Sequence, residues 1–340
     1  MSDLSVELAG LRLKNPIICG AGEVTRTSAQ LRAAVDAGAA AVVAKSANES
    51  EAARAQLAAA EYVTLDADWR PAGDPSTPGA SLMNRSGLEP TPFPEWLALL
   101  ADADAYAARG DAYVIASLIV ADLEQAVDMA AQVEGAGIRC LELNLGAPHG
   151  GEAEPGAIET VREAERAAEV VARVRRAVGL PLLVKLTADG VDVLATAAAA
   201  LDAGADALVI GGRPLGFLPD PATRRPVLGT YAAIGGGWAL PLTLRWIAKA
   251  RGRLGPDAPL VATNGVRSGA DVIRCLLAGA RAAQAYTVVH HGGPPALASL
   301  VAELTEAAEA EGLDRLADLV GVAADHTLTY AEAAATKGGA

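Results

Sequence analysis

The chain has few cysteines and a shortage of positive charge, and each shortage excludes a class of site. Its 340 residues include three cysteines, Cys19, Cys140 and Cys275, which lie far apart and form no CxxC pair. This spacing gives no disulfide framework and argues against a zinc or iron–sulfur site. Asp and Glu outnumber Lys and Arg by 41 to 28, so the formal net charge is −13. Because so acidic a chain repels a phosphate backbone, we expect no nucleic-acid partner.

Long hydrophobic runs and linkers are also missing. No window of about eighteen uncharged apolar residues is present, so we expect no membrane-spanning segment. The N-terminal sequence MSDLSVELAG lacks a basic region followed by an apolar run, which predicts no signal peptide and a cytoplasmic protein. No stretch is rich enough in Pro, Gly or Ser to separate domains, so we expect a single domain over residues 1–340.

The chain does contain a repeated unit, in which a short apolar run and a loop precede an Ala-rich helix. Continuous apolar runs that alternate with helices are typical of buried parallel strands. Eight such units close a barrel, so the sequence predicts an α/β fold of the (β/α)8 TIM-barrel type. The eight predicted strands are residues 17–20, 41–44, 113–117, 140–144, 182–185, 207–210, 260–263 and 282–285.

Three segments exceed the minimum for a barrel. Residues 4–6 and 11–13 flank Ala9-Gly10 and predict an N-terminal β-hairpin that plugs the bottom of the barrel. Long loops are predicted after strand two, over residues 46–95, and after strand six, over residues 211–238. Because loops at the C-terminal ends of barrel strands build the active site, we expect these two to face the substrate.

The stretch from residue 260 to residue 289 predicts a phosphate site. One strand ends at Asn264-Gly265, a helix opened by Ser268 and Asp271 follows, and a second strand ends at Tyr286-Thr287. Loops after the last two strands of a barrel, together with a helix N-terminus, present backbone N–H groups to phosphate. We therefore expect a phosphorylated ligand, either a cofactor or a sugar phosphate.

Several other strand ends carry glycine or polar residues. Gly20-Ala21-Gly22 would let a flat ligand approach the backbone, although a tight turn explains this triplet equally well. Lys45-Ser46 follows strand two, Glu142 and Asn144 belong to strand four, and Lys185 ends strand five. A buried ammonium needs an anionic or acceptor partner, and two lysines in one barrel favour an anionic ligand over a structural pair.

These residues stand in motifs that resemble the soluble, class 1 dihydroorotate dehydrogenases and the catalytic domain of the dihydropyrimidine dehydrogenases. The resemblance covers residues 4–312 and rests on LKNPIICGAG, AKS, NRSGL, LELNLGAPHG, VKL, IGGGWALPLTL, NGVRSGADV and AYT, in that order. It implies an FMN-dependent oxidoreductase that acts on CH–CH bonds, belongs to pyrimidine metabolism and forms a homodimer.

The resemblance also implies which residues form the site. Lys185 would stabilise reduced flavin at its N1/O2 edge, Lys45 would contact flavin or substrate, and backbone N–H groups of the last loops would hold the ribityl phosphate. The implied cofactor-binding residues are Gly20, Ala21, Gly22, Lys45, Ser46, Asn144, Lys185, Gly211, Gly235, Gly236, Asn264, Gly265, Tyr286 and Thr287. The implied substrate-binding residues are Asn84, Ser86, Gly87, Leu88, Asn144, His149, Gly212 and Arg213.

The chain departs from the family at the acid–base residue. The family motif N-[LIV]-S-[CS]-P-[NH] reads NLGAPH over residues 144–149, so Ala147 replaces the Cys or Ser that removes a carbon-bound proton. A missing base costs about 10²–10⁴ in rate. His149 is the first candidate for the acid–base residue, and Glu23 is the second. Lys45 and Lys185 are the other residues predicted to be catalytic.

A second departure concerns substrate recognition. The Asn-Ser pair that follows strand six in the family is Gly211-Gly212 here, which enlarges the pocket and removes two hydrogen-bonding side chains. Arg213, Arg85 and the pair Arg224-Arg225 offer guanidinium groups that could clamp a carboxylate from the loops.

Four functions remain open on these residues. The first is an FMN enzyme that exchanges hydride between flavin N5 and a small, polar, cyclic, unsaturated substrate. The second is a dihydroorotate dehydrogenase with a relocated base, the third a flavin-free sugar-phosphate isomerase or lyase, and the fourth an inactive flavin-binding paralogue. We expect no metal. The sequence contains no iron–sulfur motif or dinucleotide fingerprint, so use of NAD(P)H needs a partner subunit or direct access to the flavin.

Overall fold

The computed structural model describes residues 2–55, 60–73, 80–147, 158–159 and 161–337. Its strands, in chain order, are β1 (Val6–Leu8), β2 (Leu11–Leu13), β3 (Ile17–Cys19), β4 (Ala41–Val43), β5 (Glu61–Leu65), β6 (Ser81–Arg85), β7 (Tyr113–Leu118), β8 (Leu141–Asn144), β9 (Leu182–Leu186), β10 (Ala207–Ile210), β11 (Leu215–Gly216), β12 (Pro219–Asp220), β13 (Arg225–Pro226), β14 (Ala232–Gly236), β15 (Leu260–Thr263) and β16 (Ala282–Ala285). Its helices are α1 (Ser28–Asp36), α2 (Glu51–Ala55), α3 (Phe93–Ala107), α4 (Leu123–Gly135), α5 (Ala164–Ala177), α6 (Val193–Asp202), α7 (Leu240–Leu254), α8 (Gly269–Leu277), α9 (Thr287–Gly292), α10 (Pro294–Ala310) and α11 (Tyr330–Lys337).

Eight parallel strands close into a barrel in the order β3-β4-β7-β8-β9-β10-β15-β16, and β16 pairs with β3 to complete the ring. The predicted TIM barrel is therefore confirmed, and no predicted strand end differs from the observed one by more than one residue. Apolar side chains fill both faces of these strands. One cluster packs the strands against the helices, and a second fills the barrel interior. Burial on both faces explains why the strands read as continuous apolar runs.

The N-terminal hairpin plugs the barrel, as predicted, but its first strand is Val6–Leu8 rather than residues 4–6. Ala9 and Gly10 have φ angles of 54° and 76°, which makes a two-residue turn with both central residues left-handed. Such a turn pairs the residues on either side of it directly, so Leu8 faces Leu11. The buried side chains of the hairpin pack with the inward-facing residues of the barrel strands.

The two long loops form a single second sheet, which the sequence does not predict. Strands β5 and β6 come from the loop after the second barrel strand, and β11 and β14 come from the loop after the sixth. They pair in the antiparallel order β11-β14-β6-β5, with Asn84 opposite Ala233 and Leu82 opposite Gly235. Hydrogen bonds between β6 and β14 therefore hold the two long loops together.

The predicted helix between the last two barrel strands is observed as α8. Its N-cap residue Ser268 accepts a hydrogen bond from the backbone N–H of Asp271, as the Ser-x-x-Asp spacing implies. Within the described ranges, none of the helices combines the length and the apolar character that a bilayer crossing requires.

Candidate active site

The C-terminal ends of the barrel strands and the second sheet enclose a cavity of about 440 Å³. Most of the predicted site residues lie on its wall although they come from distant parts of the chain. They are Gly20, Ala21, Lys45, Ser46, Ser86, Gly87, Leu88, Asn144, Lys185, Gly212, Arg213, Gly236, Asn264, Gly265, Tyr286 and Thr287. The structure thus brings the predicted cofactor and substrate residues to one place.

Four predicted residues lie behind the wall, and one lies outside the described residues. A Cβ atom on Gly22 would meet the Tyr286 ring at 2.0 Å, so this ring fills the space beside the glycine. Gly211 packs against the Thr263 carbonyl and Gly235 against the Asn264 side chain. Asn84 is buried in β6. His149 falls in the stretch 148–157, which the structure does not describe.

Lys45 and Glu23 form an ion pair beside the cavity, with 2.7 Å between Nζ and Oε1. The Ser86 hydroxyl donates to the same Glu23 oxygen at 2.6 Å and accepts from Lys45 Nζ at 2.8 Å. The Tyr286 hydroxyl donates to the other Glu23 oxygen at 3.0 Å. We call these four residues the Glu23 cluster. It connects three groups on the cavity wall, Lys45, Ser86 and Tyr286, through a carboxylate that is itself off the wall.

The cluster fixes the charges of its members. Burial by itself raises the pKa of the Glu23 carboxyl, but the Lys45 charge and the hydrogen bonds from Lys45 and Ser86 outweigh burial, and the pKa falls to about 2. Burial lowers the pKa of Lys45, and the Glu23 carboxylate opposes that effect. Burial also raises the pKa of the Tyr286 hydroxyl, and the Glu23 charge raises it further. At neutral pH the cluster holds one carboxylate that accepts three donated hydrogen bonds.

Lys185 lies in a second polar group, on the floor of the cavity. Its Nζ donates to Gln284 Oε1 at 2.8 Å, and Gln284 Nε2 donates to Glu142 Oε2 at 2.6 Å. The other Glu142 oxygen accepts from the Ser117 hydroxyl at 3.3 Å, and the Ser117 and Ser46 hydroxyls are 2.8 Å apart. We call these five residues, which lie on five different barrel strands or the loops after them, the polar layer.

The structure gives the two lysines protein partners that the sequence did not identify. The sequence favoured an anionic ligand over a structural pair for the buried ammonium groups, and the ligand stays a prediction. Each lysine also has a protein carboxylate as partner: Glu23 lies 2.7 Å from Lys45, and Glu142 lies 3.7 Å from Lys185. These partners could not be predicted because both carboxylates come from other strand ends, which only closure of the barrel brings near. Neither lysine requires a ligand to balance its charge.

Arg213 brings a further cation to the cavity wall. Its guanidinium donates to the Asn84 side-chain oxygen and lies 5.7 Å from the centre of the Tyr286 ring. Asn84 is therefore joined to the cavity through Arg213. Of the other arginines considered as carboxylate clamps, Arg85 pairs with Glu61 at the surface, and Arg225 lies on the short strand β13. Neither lines the cavity.

The loops after β14, β15 and β16 meet at the other end of the cavity. Gly265 has a φ of 101°, and a Cβ atom there would lie 2.4 Å from the backbone nitrogen of Leu240, at the start of α7. Only glycine permits this approach. Gly236, Gly265 and Thr287 all line the cavity, and phosphate binding by these loops stays a prediction.

Sequence reasoning missed three polar residues on the wall, Thr263, Arg267 and Gln284. Arg267 is 58% exposed in its side chain and follows the predicted phosphate loop by two residues. Gln284 is a buried amide inside the apolar strand β16. A polar residue within a buried apolar run needs a partner, and that signal was available in the sequence.

Two histidines near the last barrel strand have no metal-binding arrangement. His290 and His291 lie in the last turn of α9, and burial lowers the pKa of both imidazoles. His291 reaches the cavity wall and lies 3.2 Å from the Thr64 hydroxyl. In the described part of the chain, no group of three or more His, Cys, Asp or Glu residues is placed to hold a metal ion.

Ala147, which the motif over residues 144–149 predicts at the position of the family's acid–base residue, is a buried part of the cavity wall. Its methyl group packs in one apolar cluster with Leu88 and Ile119. No group on this side chain can give or take a proton. Ser86, which lies two residues before Leu88, contacts both charged members of the Glu23 cluster.

Comparison with known proteins gives one consistent family. The model of the dihydroorotate dehydrogenase family matches residues 3–307. The chain is similar to three proteins described as dihydroorotate dehydrogenase B (NAD(+)), catalytic subunit. The one from Desulforudis audaxviator is 30% identical over 326 residues, covering 94% of this chain and 97% of the relative. The one from Methanopyrus kandleri is 33% identical over 289 residues, covering 83% and 84%. The one from Thermoplasma acidophilum is 26% identical over 324 residues, covering 95% and 99%.

Proposed function

Because the chain belongs to the dihydroorotate dehydrogenase family, we propose that it transfers hydride between FMN and a small, polar, unsaturated ring without the family's usual Cys or Ser base. Proteins of this family bind FMN and are oxidoreductases that act on CH–CH bonds. The observation that carries the proposal is Ala147, which lies on the wall of the cavity where the other family site residues meet.

The residues present fit FMN. Cations lie at two places on the cavity wall. At the first, on the cavity floor, Lys185 lies beside Asn144. At the second, Arg267 lies near the glycine loops after β14 and β15. A flavin ring fits the first place, where Lys185, Asn144 and Ser46 would hold it. The phosphate fits the second, where Gly236, Gly265 and Thr287 offer main-chain N–H groups and Arg267 adds charge. When bound, FMN supplies the two-electron carrier that gives or takes a hydride.

Because Ala147 has no acid–base group, a different residue must take the proton from the substrate carbon or donate one to it. We assign this work to the Glu23 cluster, because its Ser86 hydroxyl and Lys45 ammonium both reach the cavity wall. Glu23 orients the hydroxyl, and Lys45 can return a proton to it. His149, the candidate from sequence, is the second proposed group, and substitution decides between the two.

The charges on the wall define the substrate class. Glu23 balances the charge of Lys45, whereas the described contacts of Arg213 are with the Asn84 amide and the Tyr286 ring and not with a carboxylate. Gly211-Gly212 leaves room where the family has two polar side chains. We therefore propose a substrate with an anionic group, such as a carboxylate, which Arg213 would bind.

The second candidate is a dihydroorotate dehydrogenase with a relocated base. The curated relatives favour it, because the chain matches the Desulforudis audaxviator protein over 97% of that protein's length. Their names also suggest a catalytic subunit that passes electrons to NAD(+) through a partner. We propose such a partner here, together with a homodimer in the cytoplasm.

Flavin spectroscopy followed by rapid mixing tests these proposals. The purified protein should be yellow, with flavin absorbance bands, and a colourless protein that takes up no FMN would refute the cofactor and the function together. The photoreduced protein is then mixed without oxygen with orotate, with uracil and, separately, with buffer containing oxygen. Slow reoxidation by orotate supports the proposed function, whereas rapid reoxidation supports the second candidate.

The same experiment with Glu23→Gln and His149→Ala identifies the proton donor. With whichever probe reoxidises the wild-type protein, the Glu23 variant should slow the reaction and the His149 variant should not. The reverse result would move the acid–base role to His149.

A further inference from the structure

The polar layer has two sides with different surroundings. Lys185, Gln284 and Ser46 line the cavity, whereas Ser117 and Glu142 lie beneath them and are fully buried. Glu142 has no exposed surface, so it meets neither a ligand in the cavity nor solvent. A buried carboxylate in this position is costly unless it is paired, and here its partners are Gln284, Ser117 and, at 3.7 Å, the Lys185 ammonium.

Gln284 connects the two charges in one direction only. Its carbonyl oxygen accepts from Lys185 and its NH₂ group donates to Glu142. The opposite orientation of the amide would place NH₂ against the ammonium and oxygen against the carboxylate. The two charges therefore hold Gln284 in place, and Gln284 in turn fixes the distance between them.

Two-electron reduction increases the negative charge of a flavin. A cation beside the ring favours the reduced form, and a carboxylate behind that cation offsets part of its effect. Ions in solution screen buried charges weakly, so a fully buried carboxylate acts on the cavity at every salt concentration. Lys185 alone would make the cavity floor strongly positive, and Glu142 beneath it reduces that positive potential.

We propose that Glu142 is a positioning residue that lowers the reduction potential of bound FMN by balancing the charge of Lys185. This rests on the FMN binding of the proposed function. Glu142 does not touch the flavin and takes no part in proton transfer. It acts through Gln284 and Lys185, and it sets how strongly the protein prefers reduced over oxidised FMN.

The test compares the FMN midpoint potentials of four proteins: wild type, Glu142→Gln, Lys185→Met and the double variant. Each is reduced anaerobically in equilibrium with a redox dye of known potential. Glu142→Gln leaves Lys185 unbalanced and should have the highest potential. Lys185→Met leaves Glu142 unbalanced and should have the lowest. The double variant, with both charges removed, should lie between Lys185→Met and the wild type, because Glu142 offsets only part of the effect of the nearer Lys185.

The expected size is at least a tenfold change in the ratio of affinities for reduced and oxidised FMN, or about 30 mV for a two-electron couple. If Glu142→Gln fails to fold, the double variant must still lie at least about 30 mV above Lys185→Met. The matched control is Asp104→Asn, which removes a buried carboxylate paired with Arg139 away from the cavity and should leave the potential unchanged.

Two results overturn the inference. One is a yellow Glu142→Gln protein whose potential equals that of the wild type. The other is equal potentials for Lys185→Met and the double variant. Either result leaves the proposed function standing, because that function fails only if the protein takes up no FMN or transfers no hydride.

Discussion

Restoring the missing base provides the sharpest test of the proposed function. Ala147→Cys places a thiol where the family has its Cys or Ser. The wild-type side chain is 4% exposed and lies on the cavity wall beside Leu88 and Ile119. The cavity of about 440 Å³ has room for one added sulfur atom. The substitution therefore adds a group that can take a proton without filling the site.

The magnitude follows from the chemistry of the missing group. A positioned general base contributes about 10²–10⁴ in rate, which corresponds to about 3–5 kcal/mol of activation free energy. Burying a thiol, a weak hydrogen-bonding group, costs little compared with that gain. With dihydroorotate as the substrate, we expect Ala147→Cys to reduce the bound flavin at least about a hundredfold faster than the wild type does.

The assay is anaerobic stopped-flow measurement of flavin bleaching after mixing with dihydroorotate. The rate of the variant should rise with pH as the thiol loses its proton, around the ordinary thiol pKa of about 8.5. Ala147→Val, which adds volume but no proton acceptor, should remain as slow as the wild type. A fast wild-type reaction, or equal rates for the Cys and Val variants, would refute the inference that Ala147 limits this chemistry.

Three further predictions concern the Glu23 cluster and the phosphate end of the cavity. The pKa of Glu23 falls from 4.5 to about 2 on folding, so its ionisation contributes roughly 3 kcal/mol of stability above pH 4.5 that is lost as the pH falls towards 2. In urea unfolding at a series of pH values, Glu23→Gln should lack this acid-dependent loss of stability. The same loss of stability at low pH in the variant as in the wild type would contradict the pKa shift. Gly22→Ala should destabilise the fold by about 1–3 kcal/mol in thermal unfolding, because its Cβ would lie 2.0 Å from the Tyr286 ring; an unchanged melting temperature would show that the ring moves freely. Arg267→Ala should weaken FMN binding by about 10–100-fold in a fluorescence titration, as expected for the loss of one charge-assisted hydrogen bond. Riboflavin binding should be unchanged, since riboflavin has no phosphate. Equal losses of affinity for both ligands would argue against a contact between Arg267 and the phosphate.

The eight barrel strands were predictable because burial of a strand requires apolar residues that are adjacent in the sequence. Each strand is a short apolar run between a helix end and a polar or glycine loop, and both of its faces are covered. The helix cap at Ser268 was also predictable from local sequence, since an N-cap serine hydroxyl accepts a hydrogen bond from the backbone N–H three residues later, here that of Asp271. The exact start of the first hairpin strand was not, because the turn at Ala9-Gly10 determines the register and the apolar pattern does not.

The second sheet has no local sequence pattern of this kind. Strand β6 pairs with β14 about 150 residues later, and both strands are short and partly exposed. Neither strand alone shows an alternation strong enough to identify its partner, since that choice depends on where the barrel places the two loops. The same limit applies to Arg213, whose contacts with Asn84 and Tyr286 join three separate loops.

By itself, the sequence determined the barrel and the residue types at each strand end, because these depend on neighbours along the chain. Only the tertiary structure decided what those residues contact. It paired Lys45 with Glu23 and Lys185 with Glu142, and it placed Gln284 between the second pair. The reason is physical: apolar burial is recorded residue by residue, whereas a charge takes its partner from whichever strand end the closed barrel brings within reach.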